Sequence, residues 1–101
     1  MVRKGLVPDV HLFVCANRRP DDSPLGRGCG DDGKRVFDAM KADVARRGAY
    51  RAVWVTKTSC LGVCPKSGAT VAVYPRGALY SEVEESEAAG LLDAAVMGKL
   101  P

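Results

Sequence analysis

The segment Thr58-Ser59-Cys60-Leu61-Gly62-Val63-Cys64-Pro65 contains two cysteines four positions apart. Gly62 has no Cβ atom, so the backbone between the two sulfurs can pass close to whatever the sulfurs bind. Pro65 fixes its own φ angle and disfavours a helical conformation at Cys64, which gives the segment a defined end. We therefore predict that residues 59–65, called the cysteine loop below, form a short constrained loop that presents two thiols.

Two further cysteines, Cys15 and Cys29, lie far upstream and complete a set of four. Thiolates suit both zinc and iron–sulfur centres. Zinc sites with four cysteines usually place their ligands in pairs about two to four residues apart, and only Cys60 and Cys64 match that spacing. Two irons bridged by two sulfides occupy a wider footprint, which accepts a long first loop. The spacing therefore favours an iron–sulfur centre, with zinc, thiol chemistry or an empty site as the alternatives.

Length and composition predict a single domain over residues 1–101, with 47% hydrophobic content. No apolar run approaches the roughly 20 residues that cross a bilayer, so no membrane association is expected. No apolar segment follows the charged N-terminus, which predicts no signal peptide and a cytoplasmic location, where thiols stay reduced. The formal net charge of +3 is too small to indicate nucleic-acid binding.

The beginning of the chain is predicted to form a strand and a long loop. Residues 10–14 are a nearly continuous apolar run that is typical of a buried strand, with Cys15 at its carboxyl end. Residues 16–33 include four glycines and two prolines, which predicts a loop that carries Cys29. A glycine-rich loop of this length predicts that replacing Cys29 is milder than replacing Cys60 or Cys64, because a water or Ser23 could take its place.

Five more elements are predicted after this loop. A helix with apolar residues at helical spacing begins at Asp31 or Asp32, which act as caps, and ends at Gly48. A second strand follows over residues 50–56. The rest of the chain is predicted to form a strand, a tight turn, a returning strand and a helix, over residues 70–74, 75–77, 78–83 and about 86–97 respectively.

The order of these elements, β-α-β followed by β-β-α, predicts an α/β fold. A strand–helix–strand unit makes a right-handed crossover between parallel strands, and the hairpin with its helix completes a four-stranded mixed sheet with helices packed on it. This order is thioredoxin-like. Because open α/β sheets bind ligands at the carboxyl ends of their strands, we expect Cys15, Cys29 and the cysteine loop to meet at one end of the sheet.

The complete pattern resembles the thioredoxin-like 2Fe-2S ferredoxins. Its parts are Cys15, a thirteen-residue gap, Cys29, a thirty-residue gap, and then Cys60 and Cys64. The hairpin Val-Tyr-Pro-Arg-Gly at residues 73–77, with Tyr80 on the returning strand, is also similar to that family. The resemblance covers residues 10–97. The small 2Fe-2S subunit of respiratory NADH dehydrogenases is similar too, but its first two cysteines are much closer together.

This resemblance implies a one-electron carrier that is not an enzyme. Cys15, Cys29, Cys60 and Cys64 would bind a 2Fe-2S cluster as thiolates, two per iron, with the first two cysteines on one iron and the last two on the other. Gly28, Gly30 and Gly62 would offer backbone N–H groups to the sulfurs. Redox partner proteins and a possible homodimer are implied, without nucleic acid or membrane. The alternative is a binding module in which zinc or the cluster only stabilises the fold.

Three arginines lie in the loop between the first two cysteines: Arg18, Arg19 and Arg27. We expect them to project near the cluster, where they could dock an acidic partner. The alternative is an ordinary solvated loop. Ferredoxins that this chain resembles are commonly acidic, whereas this chain is basic, with a sequence pI of about 8.8.

Overall fold

The computed structural model describes residues 1–20, 22–24, 28–63, 65 and 67–101. Within these residues the chain forms four strands and two α-helices, with one turn of 3-10 helix at Glu85–Glu87. The predicted order of the elements is confirmed. Their bounds are Val10–Cys15 for β1, Gly30–Arg47 for α1, Val53–Thr58 for β2, Ala69–Tyr74 for β3, Ala78–Val83 for β4 and Ala88–Met97 for α2.

The four strands form one sheet in the order β2-β1-β3-β4. β1 runs parallel to β2 and antiparallel to β3, and β3 and β4 form an antiparallel hairpin. The predicted α/β class with a four-stranded mixed sheet is therefore confirmed. The carboxyl ends of β1 and β2 lie at the same end of the sheet as the start of β3. Because Cys15 lies opposite Thr58 in the parallel pair, the end of β1 adjoins the start of the cysteine loop.

The core lies between the sheet and the two helices. Leu12 and Val14 of β1 are fully buried, and they join one apolar cluster with Val36 and Met40 of α1 and Leu92 of α2. Complete burial of such a side chain is worth about 1.5–3 kcal/mol. These contacts fix α1 and α2 on the sheet. None of the described helices is long and apolar enough to cross a membrane.

The other side of the sheet carries a row of aromatic rings. His11 and Phe13 stack with ring centroids 4.0 Å apart, and Trp54 and Tyr74 meet them edge-on at 5.6 and 5.9 Å. The Nε2 atom of His11 lies 2.7 Å from the hydroxyl oxygen of Thr56. The one histidine of the sequence is thus a polar residue at a strand position, bonded to the neighbouring strand.

The predicted starts of α1, β2 and α2 are displaced by one to three residues for local reasons, and β2 also ends two residues later than predicted, at Thr58. α1 begins at Gly30, one turn into the predicted loop, with Cys29 rather than an aspartate at its N-cap. β2 begins at Val53, because the Val53 N–H donates to the Ala49 carbonyl at 3.0 Å and closes a turn before the strand. α2 begins at Ala88, because the preceding 3-10 turn is closed by a capping box of Glu84 and Glu87.

Candidate functional site

Cys15 and Cys29 lie close together at the end of the sheet where β1 finishes. Cys15 ends β1 and Cys29 is the N-cap of α1, and each is only 1% exposed. The two side chains are hydrogen-bonding neighbours, and the pKa of the Cys29 thiol is raised to about 11, chiefly by burial. Thr70 lowers the pKa of this thiol, and the neighbouring Cys15 thiol raises it further. Two buried thiols thus share one small volume.

A glycine in the first turn of α1 allows this close approach. A Cβ atom built on Gly33 would overlap the carbonyl oxygen of Cys15 and lie 3.0 Å from the Cα atom of Ala16. The helix can therefore lie against the end of β1 only because position 33 has no side chain. The Gly30 N–H donates to the carbonyl of Asn17 at 3.0 Å, so the prediction that it faces a sulfur is wrong.

The first part of the cysteine loop is attached to Cys15. The Cys15 thiol donates to the carbonyl of Ser59 at 3.8 Å, which is the residue before Cys60. The N–H of Ala16 donates to the carbonyl of Thr58 at 3.0 Å. Within the loop, the Gly62 N–H donates to the Cys60 sulfur at 3.3 Å. The predicted role of Gly62 as a donor to a sulfur is therefore confirmed.

Thr70, at the start of β3, joins Cys29 to the second part of the loop. Its side chain is fully buried, and its hydroxyl donates to the carbonyl of Val63 at 2.9 Å. Thr70 also lies close to the Cys29 thiol, whose pKa it lowers. Thr70 is not among the predicted site residues, and its signal in the sequence is a single hydroxyl at the start of an otherwise apolar run.

The structure gives different results for the four predicted cysteines. It brings Cys15 and Cys29 into contact, and it places Cys60 on an exposed loop anchored beside them. Among residues 1–20, 22–24, 28–63, 65 and 67–101, no three side chains of the types Cys, His, Asp and Glu are grouped closely enough to hold a metal ion. Cys64 lies outside the described residues, so its place in the set stays a prediction.

Charged side chains of both signs surround Cys29. Arg18 pairs with Asp31 at 3.5 Å, and Arg35 pairs with Asp32. Asp32 also accepts the N–H of Gly68 at 3.1 Å, which connects the first turn of α1 to the segment before β3. These two ion pairs balance each other's charge, and Arg19 lies on the same side, with its Cγ atom 3.8 Å from a Cβ atom built on Gly28. Of the three arginines expected near the cluster, Arg18 borders the pocket at Cys29 and Arg27 lies outside the described residues.

One buried hydroxyl at the site has no partner among the described residues. The Oγ1 atom of Thr58 is inaccessible to solvent and makes no hydrogen bond. Thr58 lies opposite Cys15 in the parallel pair of β1 and β2. An unsatisfied buried hydroxyl costs roughly 1–3 kcal/mol, so this position favours a bound group that can accept its proton.

The sequence of this chain is similar to that of a known ferredoxin. No protein-family model matches the chain. A curated relative, a 2Fe-2S ferredoxin of Aquifex aeolicus (strain VF5), is 30% identical over 93 residues, which span 90% of this chain and 82% of the relative.

Solved structures agree with this similarity. The wild-type thioredoxin-like [2Fe-2S] ferredoxin from Aquifex aeolicus is 27% identical, with a TM-score of 0.80 over 94% of this chain and 92% of its own. A cysteine-to-serine variant of the same ferredoxin is 26% identical, with a TM-score of 0.80 over 91% of each chain. The predicted thioredoxin-like fold is confirmed.

Proposed function

Because this chain belongs to the family of thioredoxin-like [2Fe-2S] ferredoxins, we propose that it carries single electrons on a 2Fe-2S cluster. Cys15, Cys29, Cys60 and Cys64 would hold the cluster as thiolates. The observation that supports this assignment best is the contact of two buried thiols, Cys15 and Cys29, beside an exposed loop that contains Cys60. The protein performs no bond chemistry of its own and is not an enzyme.

The residues present fit such a cluster. All four candidate ligands are sulfur donors, the ligand type that holds 2Fe-2S clusters. The Thr58 hydroxyl, which has no partner among the described residues, and the Gly62 N–H supply hydrogen-bond donors of the kind that tune cluster potentials. Binding would displace the protons of the buried thiols, because metal ligands must be deprotonated. When bound, the cluster supplies a site that accepts and releases one electron.

The chain's own residues orient the ligands and separate a buried side of the site from an exposed one. Cys15 and Cys29 are held in the core, whereas Cys60 and its neighbour Gly62 are exposed. Hydrogen bonds from the Ala16 N–H to the Thr58 carbonyl and from the Thr70 hydroxyl to the Val63 carbonyl hold the loop on this site, and neither depends on a thiol proton. An electron would therefore enter and leave across the cysteine loop.

The proposal includes partners that exchange the electron. We expect redox partner proteins, and pairing of two copies as a homodimer follows from the family resemblance. A cytoplasmic location fits free thiols at Cys15, Cys29 and Cys60. Neither nucleic acid nor a membrane takes part in the proposed activity.

Metal analysis tests the proposed function directly. We expect a red-brown protein with about two irons and two acid-labile sulfides per chain, which takes up one electron in a reductive titration. The measurement combines absorption spectroscopy with iron, zinc and sulfide analysis. A colourless protein with one zinc per chain would contradict the proposal. A cluster that resists reduction until the protein unfolds would favour the alternative, in which the metal only stabilises a binding module.

Replacement of Thr70 by valine is expected to weaken the site without removing a ligand. Valine keeps the size of the side chain but loses the hydroxyl that donates to the Val63 carbonyl beside Cys29. We expect a loss of about 1–2 kcal/mol in the free energy of unfolding, and cluster release about tenfold faster in the presence of a chelator. Denaturation and the decay of visible absorbance measure the two effects.

Thr70→Ser is the matched control, because it keeps the hydroxyl and removes only a methyl group. Cluster release near the wild-type rate is expected for this variant. Equal rates of release in the serine and valine variants would show that the hydroxyl does not position the loop.

A further inference from the structure

Two lysines share one aromatic ring beside the site. The Nζ atoms of Lys41 and Lys57 lie 5.9 and 5.1 Å from the centroid of the Phe37 ring. Both lysines are exposed, and Phe37 is half-buried between them. Cation–π contact of this kind holds the ammonium groups over the ring face. We call Phe37, Lys41 and Lys57 the lysine patch.

The lysine patch keeps its positive charge, whereas the other cations of α1 are neutralised. Within the described part of the chain, no carboxylate forms an ion pair with Lys41 or Lys57. The remaining cations of α1 all pair with aspartates: Lys34 with Asp38, Arg35 with Asp32, and Arg46 and Arg47 with Asp43. The patch therefore carries two charges without a carboxylate partner among the described residues, Lys41 on a helix whose other cations are paired and Lys57 on β2.

The patch lies next to the cysteine loop. Lys57 is the second-last residue of β2, an edge strand of the sheet, and it pairs with Val14 one position before Cys15. It precedes Cys60 by three residues, so their Cα atoms are at most about 11 Å apart. A protein that approaches the exposed side of the cysteine loop would therefore contact the lysine patch.

On the basis of the proposed function, we propose that the lysine patch is the docking surface for a redox partner with an acidic face. Clefts and patches of one charge steer oppositely charged partners, and this raises association rates by about 10- to 1,000-fold. The Phe37 ring supplies an apolar contact between the two charges. On the other side of the site, around Cys29, Arg18 and Arg35 are each paired with a carboxylate, so these two arginines attract an acidic protein less than the lysine patch does.

The test measures electron transfer with an acidic redox protein as the probe. The hydroquinone of an acidic flavodoxin reduces the oxidised, cluster-loaded protein in a stopped-flow experiment across a salt series. The variants are the double mutant K41E/K57E and the control R76E. Arg76 lies in the β3–β4 turn, at the opposite end of the sheet from the cysteine loop, and its replacement tests charge reversal far from the site.

At about 10 mM ionic strength, where screening is weak, the double mutant is expected to be about tenfold slower than the wild type. R76E is expected to stay within about twofold of the wild type, and at about 0.5 M salt the three rates should converge. With basic cytochrome c as acceptor, K41E/K57E should instead be faster than the wild type at low salt.

Two results would contradict the proposal that the lysine patch is the docking surface. One is a double mutant with the wild-type rate and salt dependence. The other is an equal loss of rate in R76E, which would show that only the net charge matters. Iron and sulfide content and one-electron reduction by dithionite are measured first for every variant. A wild-type protein without a reducible cluster contradicts the proposed function itself, so failure of the function and failure of the docking surface are distinguished.

Discussion

Replacing Cys29 with alanine is expected to reduce the iron content of the purified protein by at least about tenfold, as much as replacing Cys60. Loss of residues that merely orient a ligand already costs roughly 10- to 100-fold in metal affinity, and loss of a ligand should cost no less. Cys29 is 1% exposed at the N-cap of α1. The Cys29 side chain is therefore almost fully covered by protein atoms, and a replacement ligand would have to displace some of them.

This expectation differs from the one that the sequence supports. A long glycine-rich loop would let another group replace the Cys29 thiol, and the sequence therefore predicts a mild effect. The structure puts Cys29 at the start of a helix, between Thr70 and Cys15. The thiol thus occupies a fixed position, and we expect Cys29→Ala and Cys60→Ala to have similar effects.

Val36→Ala is the matched control for this experiment. Val36 is also buried in α1, and its truncation should destabilise the fold by roughly 1–3 kcal/mol without removing a thiol. Far-UV circular dichroism verifies that each variant is folded, and iron analysis with visible absorption gives the loading. Wild-type loading of Cys29→Ala would remove Cys29 from the ligand set. Equal loss of iron in Val36→Ala would show that stability, not ligation, governs loading.

The sequence predicts the strands well because their signals are local. A continuous apolar run indicates β1, and the Pro-Arg-Gly turn identifies the β3–β4 hairpin. The start of α1 is missed for the opposite reason. Gly28, Gly30 and Gly33 have low helix propensity, but contacts distant in the sequence hold this turn. Gly33 rests on the Cys15 carbonyl, and Asp32 accepts the N–H of Gly68.

The site residues also differ in how well the sequence predicts them: residue type is visible in the sequence, whereas tertiary contacts are not. Cysteine chemistry and spacing are visible in the sequence and select Cys15, Cys29, Cys60 and Cys64. The role of Thr70 depends on a bond to a loop carbonyl seven positions earlier in the chain, which no sequence pattern encodes. The charges behave similarly, because the sequence draws attention to the loop arginines but cannot show which cations are neutralised by carboxylates.

A pair of glycine-to-alanine substitutions is expected to change stability in opposite directions. At Gly33 the added Cβ atom would overlap the Cys15 carbonyl oxygen and lie 2.9 Å from its carbonyl carbon. These are backbone atoms of β1, so the helix must shift away from the strand. At Gly90 in α2 nothing lies within 4 Å of the added atom. The two sites therefore differ in the space available to one methyl group.

We expect Gly33→Ala to lower the free energy of unfolding by about 2 kcal/mol, because overpacking outweighs the gain in helix propensity. Gly90→Ala should raise it by about 0.5–1 kcal/mol, because the helix gains propensity at an exposed position. Urea denaturation of the metal-free proteins measures both. The shift of α1 should also separate Cys29 from Cys15, so Gly33→Ala should load less iron, while Gly90→Ala loads as much as the wild type. If Gly33→Ala is as stable as the wild type and loads fully, the close contact of α1 with the end of β1 does not hold the first two cysteines together.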